Sequence, residues 1–293
     1  MIRKNITVNF HLTRACNYRC KYCYAHFHKM NSLNQSQSQR IVEEIAKAGF
    51  GKVNFAGGEP LTYKPLGYLI RLAKHLNLKT SIITNGSLLT NEWLNENGKF
   101  LDIIGISCDS SIEPIQKIIG RGNGSAVEKV KRAFSLIQKY NLYNGNPIFT
   151  KLNSVITSYN YKEDMSDFVL SLGVNRWKIF QVLPVEGEND EDIENLAISM
   201  NEFKEFVNKH ISLRRYGIDV VGEDNDNMTN SYLMINPEGQ FYQNASGKYI
   251  KSESIIKVGI ESALEQISFQ YSKFIERGGA YPISNKTYQL EKV

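Results

Sequence analysis

The stretch Arg14-Ala-Cys-Asn-Tyr-Arg-Cys-Lys-Tyr-Cys-Tyr24 places three cysteines, Cys16, Cys20 and Cys23, directly after an apolar run that predicts a strand. The only other cysteine in the chain is Cys108, so the stretch cannot be a complete four-thiolate site. A cubane 4Fe–4S cluster is normally held by four cysteine thiolates. A cluster held by three would keep one iron open, and that iron could chelate a small molecule.

Two plainer interpretations of the three cysteines compete with a cluster. A disulfide with one thiol left over is disfavoured, because the chain has few cysteines and no secretory signal. Structural zinc usually takes four cysteine or histidine ligands, and His26 and His28 are close enough in the sequence to complete such a set. Zinc is therefore the main alternative.

A second motif, Gly57-Gly-Glu-Pro60, follows the predicted strand Val53 to Phe55. Glycines at a strand end let the backbone approach a ligand closely, and proline fixes the exit of the chain. Together, the C-x3-C-x2-C spacing and this motif resemble the radical S-adenosylmethionine (SAM) superfamily.

The resemblance to this superfamily implies two cofactors and a reaction type. The first cofactor is a 4Fe–4S cluster held by the three cysteines. The second is SAM, which binds the open iron through its amino and carboxylate groups and contacts Gly57, Gly58 and Glu59. In this superfamily a reduced cluster cleaves SAM and releases a 5′-deoxyadenosyl radical.

Composition excludes several classes of protein. The 293 residues are 42% apolar, which is enough for one sizeable core. Lys and Arg number 35 against 30 Asp and Glu, and the net charge of +5 includes no long basic run, so direct nucleic-acid binding is not predicted. No apolar stretch approaches the ~20 residues of a transmembrane helix, so no membrane contact is predicted. A cytoplasmic location is expected, because an oxygen-sensitive cluster needs a reducing compartment.

Short apolar runs alternate with helical patterns, which is typical of βαβ units and a parallel sheet. The predicted strands are Thr7–Leu12, Lys52–Phe55, Thr80–Thr84, Ile103–Ser107, Phe149–Ile156 and Arg176–Val182. The predicted fold class is α/β, with a partial (β/α)6 TIM barrel, the radical SAM core, over residues 1–210. A mixed α/β C-terminal extension, residues 211–293, is predicted to close the substrate site. In it we expect a hairpin of Ser231–Ile235 with Gln240–Tyr242 and a helix near Ile260–Ile267.

Most of the chain also resembles one family within the superfamily, the viperins and their prokaryotic relatives. The shared motifs are Asn9-Phe-His-Leu-Thr-Arg14, Asn85-Gly-Ser87, Ile106-Ser-Cys-Asp-Ser110, Ile119-Gly-Arg-Gly122, Lys151-Leu-Asn-Ser-Val-Ile156, Arg176-Trp-Lys-Ile-Phe-Gln181, Glu186-Gly-Glu-Asn189, Ser231-Tyr-Leu and Arg277-Gly-Gly. Viperins remove the C4′ hydrogen of a nucleoside triphosphate and eliminate its 3′-hydroxyl as water. The resemblance implies a radical SAM nucleotide dehydratase, a lyase that converts CTP, UTP or GTP to a 3′-deoxy-3′,4′-didehydro nucleotide for antiviral, anti-phage defence.

Cations on the predicted strands suit a triphosphate, which carries about four negative charges near neutral pH. Residues i and i+2 share a face of a strand, so Arg176 can act with Lys178, and Lys151 with Asn153. Internal salt bridges are the alternative, because a buried strand rarely carries two unpaired cations on one face. The resemblance assigns the nucleotide to Asn9, Lys52, Asn54, Lys151, Arg176 and Lys178, and it matches Lys248 to a basic residue of the family's C-terminal loop.

The resemblance also extends the predicted SAM site and names a catalytic residue. Asn85 and Ser107 resemble the family's ribose and methionine contacts, Arg121 its partner for the SAM carboxylate, and Tyr22 the aromatic residue against the adenine. The departing hydroxyl needs a proton and the cycle needs an electron. Tyr232 matches a tyrosine near the family's substrate and is the predicted donor, because a phenol with a pKa near 10 is protonated at neutral pH. Packing in the core is the alternative role for this tyrosine.

The chain departs from animal viperins at both ends and near the substrate. It has no amphipathic N-terminal helix, and it ends Glu291-Lys-Val293 where animal viperins have a tryptophan used in cluster delivery. These differences favour a soluble prokaryotic form, expected to be a monomer reduced by a reductase, flavodoxin or ferredoxin. Ala56 and Asn244-Ala-Ser-Gly247 replace a family serine and a basic, cysteine-containing loop, which leaves the choice of nucleobase open.

Two other functions compete with nucleotide dehydration. A radical SAM enzyme of cofactor biosynthesis, acting on a nucleotide, is disfavoured because the chain has no second cysteine cluster. A non-catalytic iron–sulfur or zinc scaffold that binds nucleotides would have no reason to cleave SAM.

Overall fold

The computed structural model describes residues 2–245 and 247–280, and the strands within them form one sheet. They are β1 (Thr7–His11), β2 (Lys52–Ala56), β3 (Lys79–Thr84), β4 (Ile103–Ser107), β5 (Phe149–Ile156), β6 (Arg176–Gln181), β7 (Asp219–Glu223), β8 (Leu233–Ile235), β9 (Gln240–Gln243) and β10 (Ile250–Ser254). Glu291-Lys-Val293, where the sequence departs from animal viperins, lies outside the described residues.

Helices connect the strands and cover one side of the sheet. They are α1 (Gln35–Lys47), α2 (Leu66–His75), α3 (Asn91–Asn97), α4 (Glu113–Ile118), α5 (Ala126–Tyr143), α6 (Ser166–Leu172), α7 (Asp190–Leu196), α8 (Met200–His210), α9 (Asn225–Met228), α10 (Ile255–Val258), α11 (Ile260–Leu264) and α12 (Tyr271–Glu276). Short 3-10 turns cover Ile2–Asn5, Pro60–Thr62, Gly98–Phe100 and Ile211–Tyr216. Among the described helices, none combines the length and the apolar character needed to cross a membrane.

The sheet order is β10-β9-β8-β1-β2-β3-β4-β5-β6-β7. Strands β1 to β7 are parallel and lie side by side in chain order, and β8 pairs parallel with the other edge of β1. The sheet does not close, because β7 and β10 are its two ends. The predicted α/β class and partial barrel are confirmed, and the six predicted core strands are present with bounds that differ by at most one residue at either end.

The two faces of the sheet differ in chemistry because side chains alternate along each strand. The outer face is apolar and packs with residues of α1, α2 and α5 in one core. Its fully buried members include Val8, Phe10, Val53, Phe55, Leu152 and Trp177. Burying each such side chain stabilises the fold by about 1.5–3 kcal/mol. The inner face is polar, and it carries Asn9, Asn54, Lys151, Arg176 and Lys178.

The chain beyond residue 210 continues the same sheet at both of its ends. Strand β7 pairs with β6, and β8 pairs with β1, so the inner face is bounded on both sides by residues of the predicted extension. The division of roles between residues 1–210 and 211–293 stays a prediction. Strands β7 and β10 were not predicted, and β7 places Glu223 opposite Phe180 of β6 in the register.

Candidate active site

The three cysteines of the first motif lie on the loop between β1 and α1, at the C-terminal end of β1. All three are free thiols and partly buried. Two backbone bonds tie this loop to the turn after α4: the N–H of Arg19 donates to the carbonyl of Gly120 (3.2 Å), and that of Lys21 to Ile119 (3.0 Å). The loop therefore has a fixed position at the mouth of the partial barrel.

The environment of these thiols fits an iron–sulfur cluster. Burial raises the pKa of Cys16 and of Cys20, and raises the pKa of Cys23 to about 12. Without a metal the thiols are thus held protonated, and thiolates at this site need the positive charge of bound iron. The nearby Arg121 acts in the same direction, because its charge lowers the pKa of Cys16 and of Cys20.

Gly57 and Gly58 are required where the end of β2 meets the cysteine loop. Gly57 has φ +150°, and a Cβ there would lie 2.7 Å from the carbonyl oxygen of Thr13. A Cβ on Gly58 would lie 2.4 Å from the carbonyl oxygen of Ala15. Any side chain at either position would push the cysteine loop away from β2. The motif therefore sets the distance between the loop and the sheet.

Glu59 is fully buried and joins the ends of β2 and β3. Its carboxylate accepts bonds from the Thr84 hydroxyl (2.6 Å) and from the N–H groups of Asn85 (2.8 Å) and Leu61 (3.0 Å). Burial raises the pKa of Glu59, and these bonds oppose the rise. In the structure this side chain positions the loop that carries Asn85, which was predicted to contact SAM.

Asn85 belongs to a small polar network beside the cysteine loop. Its Nδ2 donates to Asn17 Oδ1 (2.8 Å), and its Oδ1 accepts from the N–H (2.9 Å) and the hydroxyl (2.6 Å) of Ser87. Asn17 in turn donates to the Ser87 hydroxyl at 2.8 Å. The network links the loop between Cys16 and Cys20 to the end of β3.

Asp109, Arg121 and Tyr22 form a buried group that we call the Asp109 centre. Nε of Arg121 lies 2.6 Å from Asp109 Oδ2, and Nη2 donates to the Tyr22 hydroxyl at 2.7 Å. The Tyr22 hydroxyl donates to the same carboxylate, whose other oxygen accepts the N–H of Val155 at 2.8 Å. Tyr22 and Arg121 were both predicted to contact SAM, and the structure joins them to each other through a carboxylate that the sequence analysis gave no role.

Ser107 and Cys108 lie at the end of β4 beside this centre. Ser107 is the last residue of the strand and is partly exposed, and its carbonyl accepts a bond from Arg121 Nη1 at 3.3 Å. Cys108 is fully buried, and its sulfur contacts Gln116 Nε2 (2.9 Å) and the Ser110 carbonyl (3.3 Å). The structure therefore places Cys108 in the core, directly after the end of β4.

An asparagine ladder crosses the inner face from β8 to β2. Asn54 Nδ2 donates to Asn9 Oδ1 at 2.9 Å, and Asn9 Nδ2 donates to the Leu233 carbonyl at 3.3 Å. Within residues 2–245 and 247–280, the buried Oδ1 atoms of Asn54 and Asn153 find no hydrogen-bond partner. Buried polar atoms are nearly always paired in folded proteins, so these two oxygens favour a polar ligand on this face.

Lys178, Glu223, Tyr232 and Arg277 form a second buried group, the Glu223 centre. Lys178 Nζ is paired with Glu223 and donates to the Tyr232 hydroxyl at 2.9 Å. That hydroxyl donates to the other oxygen of Glu223. Arg277 Nη1 lies 3.2 Å from Glu223 Oε1, and its guanidinium stacks over the Tyr232 ring with 3.6 Å to the centroid. Two cations therefore share one carboxylate in a dry environment.

Charge and burial act together on this second centre. Burial alone would raise the pKa of Glu223, but Lys178 and Arg277 outweigh it and lower that pKa to about 2. Burial lowers the pKa of Lys178 to about 7, with Glu223 opposing and Arg277 and Lys151 adding to the fall. Burial also raises the pKa of Tyr232 well above its usual value, so its hydroxyl is protonated at neutral pH.

The remaining predicted nucleotide residues lie at different depths. Arg176 is almost fully buried, pairs with Asp219 Oδ2 (2.7 Å) and donates to the Gly278 carbonyl (2.7 Å). Lys151 is buried on the neighbouring strand, directly opposite Arg176 in the register. Lys52 begins β2 and so lies at the opposite end of the strand from the cysteine loop. The backbone of Lys248 pairs with that of Glu186, and its side chain is exposed.

The internal salt bridges that were the alternative for Arg176 and Lys178 are thus present, and the nucleotide roles of these residues stay predictions. Glu223 is not among the predicted site residues, because the sequence pattern did not predict β7 as a strand. The available signal was an acidic residue at the end of the run Asp219-Val-Val-Gly-Glu223. Asp109 and Arg277 lay inside recognised motifs, but nothing local shows that each meets a tyrosine.

Comparison with known proteins defines the class of enzyme first. A sequence model described as the radical SAM superfamily matches residues 10–200, which contain the cysteine loop, Glu59 and the Asp109 centre. A solved structure described as native anSMEcpe with bound AdoMet and Cp18Cys peptide has the same fold. It aligns with a TM-score of 0.70 at 16% identity, over 93% of this chain and 82% of that chain.

Relatives at higher identity define the family. The chain is 41% identical over 282 residues to the S-adenosylmethionine-dependent nucleotide dehydratase of Flammeovirga pacifica, which covers 94% of this chain and 95% of the relative. It is 35% identical over 297 residues to the S-adenosylmethionine-dependent nucleotide dehydratase RSAD2 of Danio rerio, with 97% and 80% covered. The chain belongs to the radical SAM superfamily and, within it, to the S-adenosylmethionine-dependent nucleotide dehydratases, the viperin family. Its cofactors are a 4Fe–4S cluster and SAM, as predicted.

Proposed function

We propose that this enzyme dehydrates a nucleoside triphosphate, CTP, UTP or GTP, to its 3′-deoxy-3′,4′-didehydro analogue. The observation that carries the proposal is the Glu223 centre, in which Lys178 and Arg277 share a single buried carboxylate on the inner face. When Lys178 is protonated, the two cations outnumber the one carboxylate, and a polyanion is the kind of ligand that this surplus of positive charge favours. The unpaired amide oxygens of Asn54 and Asn153 on the same face suit a ligand that also carries hydroxyl or amino donors.

Residues of the inner face would divide the substrate between them. We assign the triphosphate to Lys151, Arg176 and Lys178, which lie on adjacent strands with Lys151 and Arg176 opposite each other in the register. Asn9, Asn54 and Asn153 would meet the sugar and base. Lys52 and Lys248 stay in this set on the strength of the family resemblance alone.

The cofactor side of the reaction would be held by the C-terminal ends of β1 to β4. The cluster and SAM, when bound, supply the 5′-deoxyadenosyl radical that takes the C4′ hydrogen. Cys16, Cys20 and Cys23 would hold the cluster. Gly57, Gly58 and Glu59 shape the loop contact, and Asn85, Ser107, Arg121 and Tyr22 would orient SAM. Because the Tyr22 and Arg121 side chains are bonded to Asp109, their positions are fixed before any ligand arrives.

Tyr232 is assigned the second half of the chemistry. Loss of the 3′-hydroxyl as water consumes one proton and one electron. Together with the C4′ hydrogen removed in the first step, the substrate loses one hydrogen and one hydroxyl in total. The Tyr232 hydroxyl can supply both, because it is held protonated between Lys178 and Glu223 on the inner face. An external reductase, flavodoxin or ferredoxin would then restore the tyrosine.

The biological role proposed is antiviral, anti-phage defence by a cytoplasmic monomer. A product without a 3′-hydroxyl cannot be extended once a polymerase has incorporated it. The chemistry of the product thus supports the role.

The test is mass spectrometry of an anaerobic reaction with reconstituted protein, SAM, dithionite and equal CTP, UTP, GTP and ATP. The expected result is 5′-deoxyadenosine together with one or more nucleotides lighter by one water. A Cys20→Ala variant is the control and should give neither product. Deoxyadenosine with every nucleotide unchanged would refute the substrate proposal. No SAM cleavage by a protein with a verified cluster would contradict the whole scheme.

Binding of the triphosphate is tested separately with two lysine variants. Lys178→Gln removes a buried cation of the inner face, and we expect KM for the accepted nucleotide to rise at least tenfold. Lys139→Gln removes an exposed lysine of α5 and should leave KM unchanged. Equal KM values for both variants would remove Lys178 from the nucleotide site.

A further inference from the structure

His26, His28 and Glu188 form a compact group outside the site described above. One ligand atom from each, an imidazole nitrogen or a carboxylate oxygen, lies within 4.8 Å of the other two. His26 and Glu188 are partly buried and His28 is exposed, so an ion can reach the group from solvent. The structure therefore groups the two histidines with an acid of another loop, whereas the zinc alternative of the sequence analysis grouped them with the cysteines.

Local geometry orients the ligand atoms toward one another. The chain turns at Phe27, which has φ 51°, and the imidazole rings on either side of it lie with centroids 5.3 Å apart. The N–H of Phe27 donates to Glu188 Oε2 at 2.9 Å, which fixes the carboxylate against the same turn. A bulky residue in the left-handed region is uncommon, and here it brings both histidines to one side.

The hydrogen bond that His26 makes through Nδ1 leaves Nε2 available to bind a metal ion. His26 Nδ1 lies 2.7 Å from the carbonyl oxygen of Glu188, and a carbonyl oxygen can only accept. Nδ1 therefore donates to this carbonyl, and Nε2 is the ring nitrogen left to bind a metal. Histidines that bind metals characteristically donate their second ring N–H to a carbonyl or carboxylate in this way.

We propose that His26, His28 and Glu188 bind a divalent transition-metal ion, zinc in the first instance. Two imidazole nitrogens and one carboxylate oxygen are a ligand set typical of zinc, with a fourth position left to water. Magnesium and calcium prefer sets made of oxygen, so the two imidazoles select against them. This ligand set includes none of the three cysteines and does not depend on which nucleotide the enzyme uses.

Such an ion would join two loops across the mouth of the partial barrel. His26 and His28 follow the cysteines on the loop after β1, whereas Glu188 lies on the loop after β6. The same two loops already meet where Asn189 Nδ2 donates to the Tyr22 carbonyl at 3.1 Å. The ion would therefore hold the cysteine loop against the opposite side of the open sheet.

The test is equilibrium dialysis of the cluster-loaded protein against Zn²⁺ under anaerobic conditions, followed by elemental analysis of zinc and iron. Loading the cluster first keeps the three cysteines occupied. The wild-type protein should retain one zinc per chain. His28→Ala and Glu188→Gln should each weaken zinc binding at least tenfold without changing the iron content. His75→Ala, which removes an exposed histidine of α2, is the matched control and should bind as the wild type does.

X-ray absorption at the zinc edge separates this site from binding to cysteine. Nitrogen and oxygen neighbours at about 2.0–2.1 Å are expected, whereas thiolate ligands would give sulfur near 2.3 Å. Sulfur neighbours, equal zinc binding by all variants, or no zinc retained by the wild type would each overturn the proposal. None of these measurements involves a nucleotide, so the outcome is independent of the proposed activity.

Discussion

The Asp109 centre and the Glu223 centre are built from the same kinds of side chain and differ in charge. Each has a fully buried carboxylate, an arginine and a tyrosine whose hydroxyl donates to that carboxylate. Asp109 faces one cation, Arg121, whereas Glu223 faces two, Lys178 and Arg277. The first centre is therefore neutral, which suits a structural support. The second carries one surplus positive charge when Lys178 is protonated, which suits the proposed anionic ligand.

The two tyrosines are also held differently. Arg121 donates to the hydroxyl of Tyr22 from Nη2, whereas Arg277 stacks over the ring of Tyr232 and leaves the hydroxyl to Lys178 and Glu223. An arginine cannot lose its proton in a protein, but a buried lysine can. The Glu223 centre can thus change its charge, and the Asp109 centre cannot.

The largest expected effect is on stability, from Asp109→Asn. It leaves Arg121 buried and charged without its carboxylate, which costs about 3–5 kcal/mol of the free energy of unfolding. Glu223→Gln should cost less, because Lys178, with a pKa of about 7, is already largely neutral at pH 8, and Arg277 keeps its bond to the Ser231 carbonyl (2.9 Å). Urea unfolding of both variants at pH 8 measures the difference. Equal losses in the free energy of unfolding would show that the ability of Lys178 to become neutral does not distinguish the two centres.

The next largest effect is on the rate of nucleotide dehydration, after removal of the Tyr232 hydroxyl. Tyr232→Phe keeps the ring under Arg277 but removes the hydroxyl, so formation of the dehydrated nucleotide should fall about 100-fold or more. SAM cleavage should fall less, so that more 5′-deoxyadenosine than dehydrated nucleotide is formed. Both products are quantified in one chromatogram. A ratio of the two products equal to that of the wild type would show that Tyr232 is not the donor.

A smaller effect is the pH dependence of stability that Lys178 confers. Its pKa is about 7 in the folded protein, below the unfolded value of 10.5. Between these two values the unfolded chain binds more protons, so stability should rise with pH across this window, by up to about 1.4 kcal/mol per pH unit. Urea unfolding at pH 7 and pH 9 measures this slope in the protein without cluster. In Lys178→Met the slope should be flatter, and an unchanged slope would contradict the assignment.

The smallest effect is expected where an ion pair is exposed. Arg3 and Glu261 form two bonds of 2.6 and 2.8 Å, yet their side chains are 39% and 59% exposed. Glu261→Gln should therefore cost less than about 1 kcal/mol. The same unfolding assay serves as a baseline for the buried pairs. A loss as large as that of Asp109→Asn would show that burial does not determine how much an ion pair contributes to the free energy of unfolding.

Local sequence predicted much of the cofactor half of the molecule. The cysteine loop and the six core strands follow from spacing and from apolar alternation, which act over a few residues. The glycines at the end of β2 predicted a close backbone approach to a ligand, whereas the approach that the structure shows is to the cysteine loop. Asp109 and Arg121 are only 12 residues apart, within two recognised motifs. Their pairing with Tyr22 was nevertheless not foreseen, because it joins three separate turns.

The substrate half was harder to predict, because its contacts are distant in sequence. Lys178 meets Tyr232 and Arg277 meets Glu223 across 54 residues in each case. The missed strand β7 is what brings Glu223 beside β6. Without that strand, the sequence allowed internal salt bridges for Lys178 and Arg176 but did not show which acids form them.

By itself, the sequence determined the class of chemistry, since thiol spacing and glycines at a strand end are local properties that a cluster and a close backbone contact require. It also determined which strand faces are polar, because side chains alternate. Only the tertiary structure decided which acid meets which cation, and it placed His26 and His28 with Glu188. Those pairings depend on the sheet order, which brings residues far apart in the chain within hydrogen-bond distance.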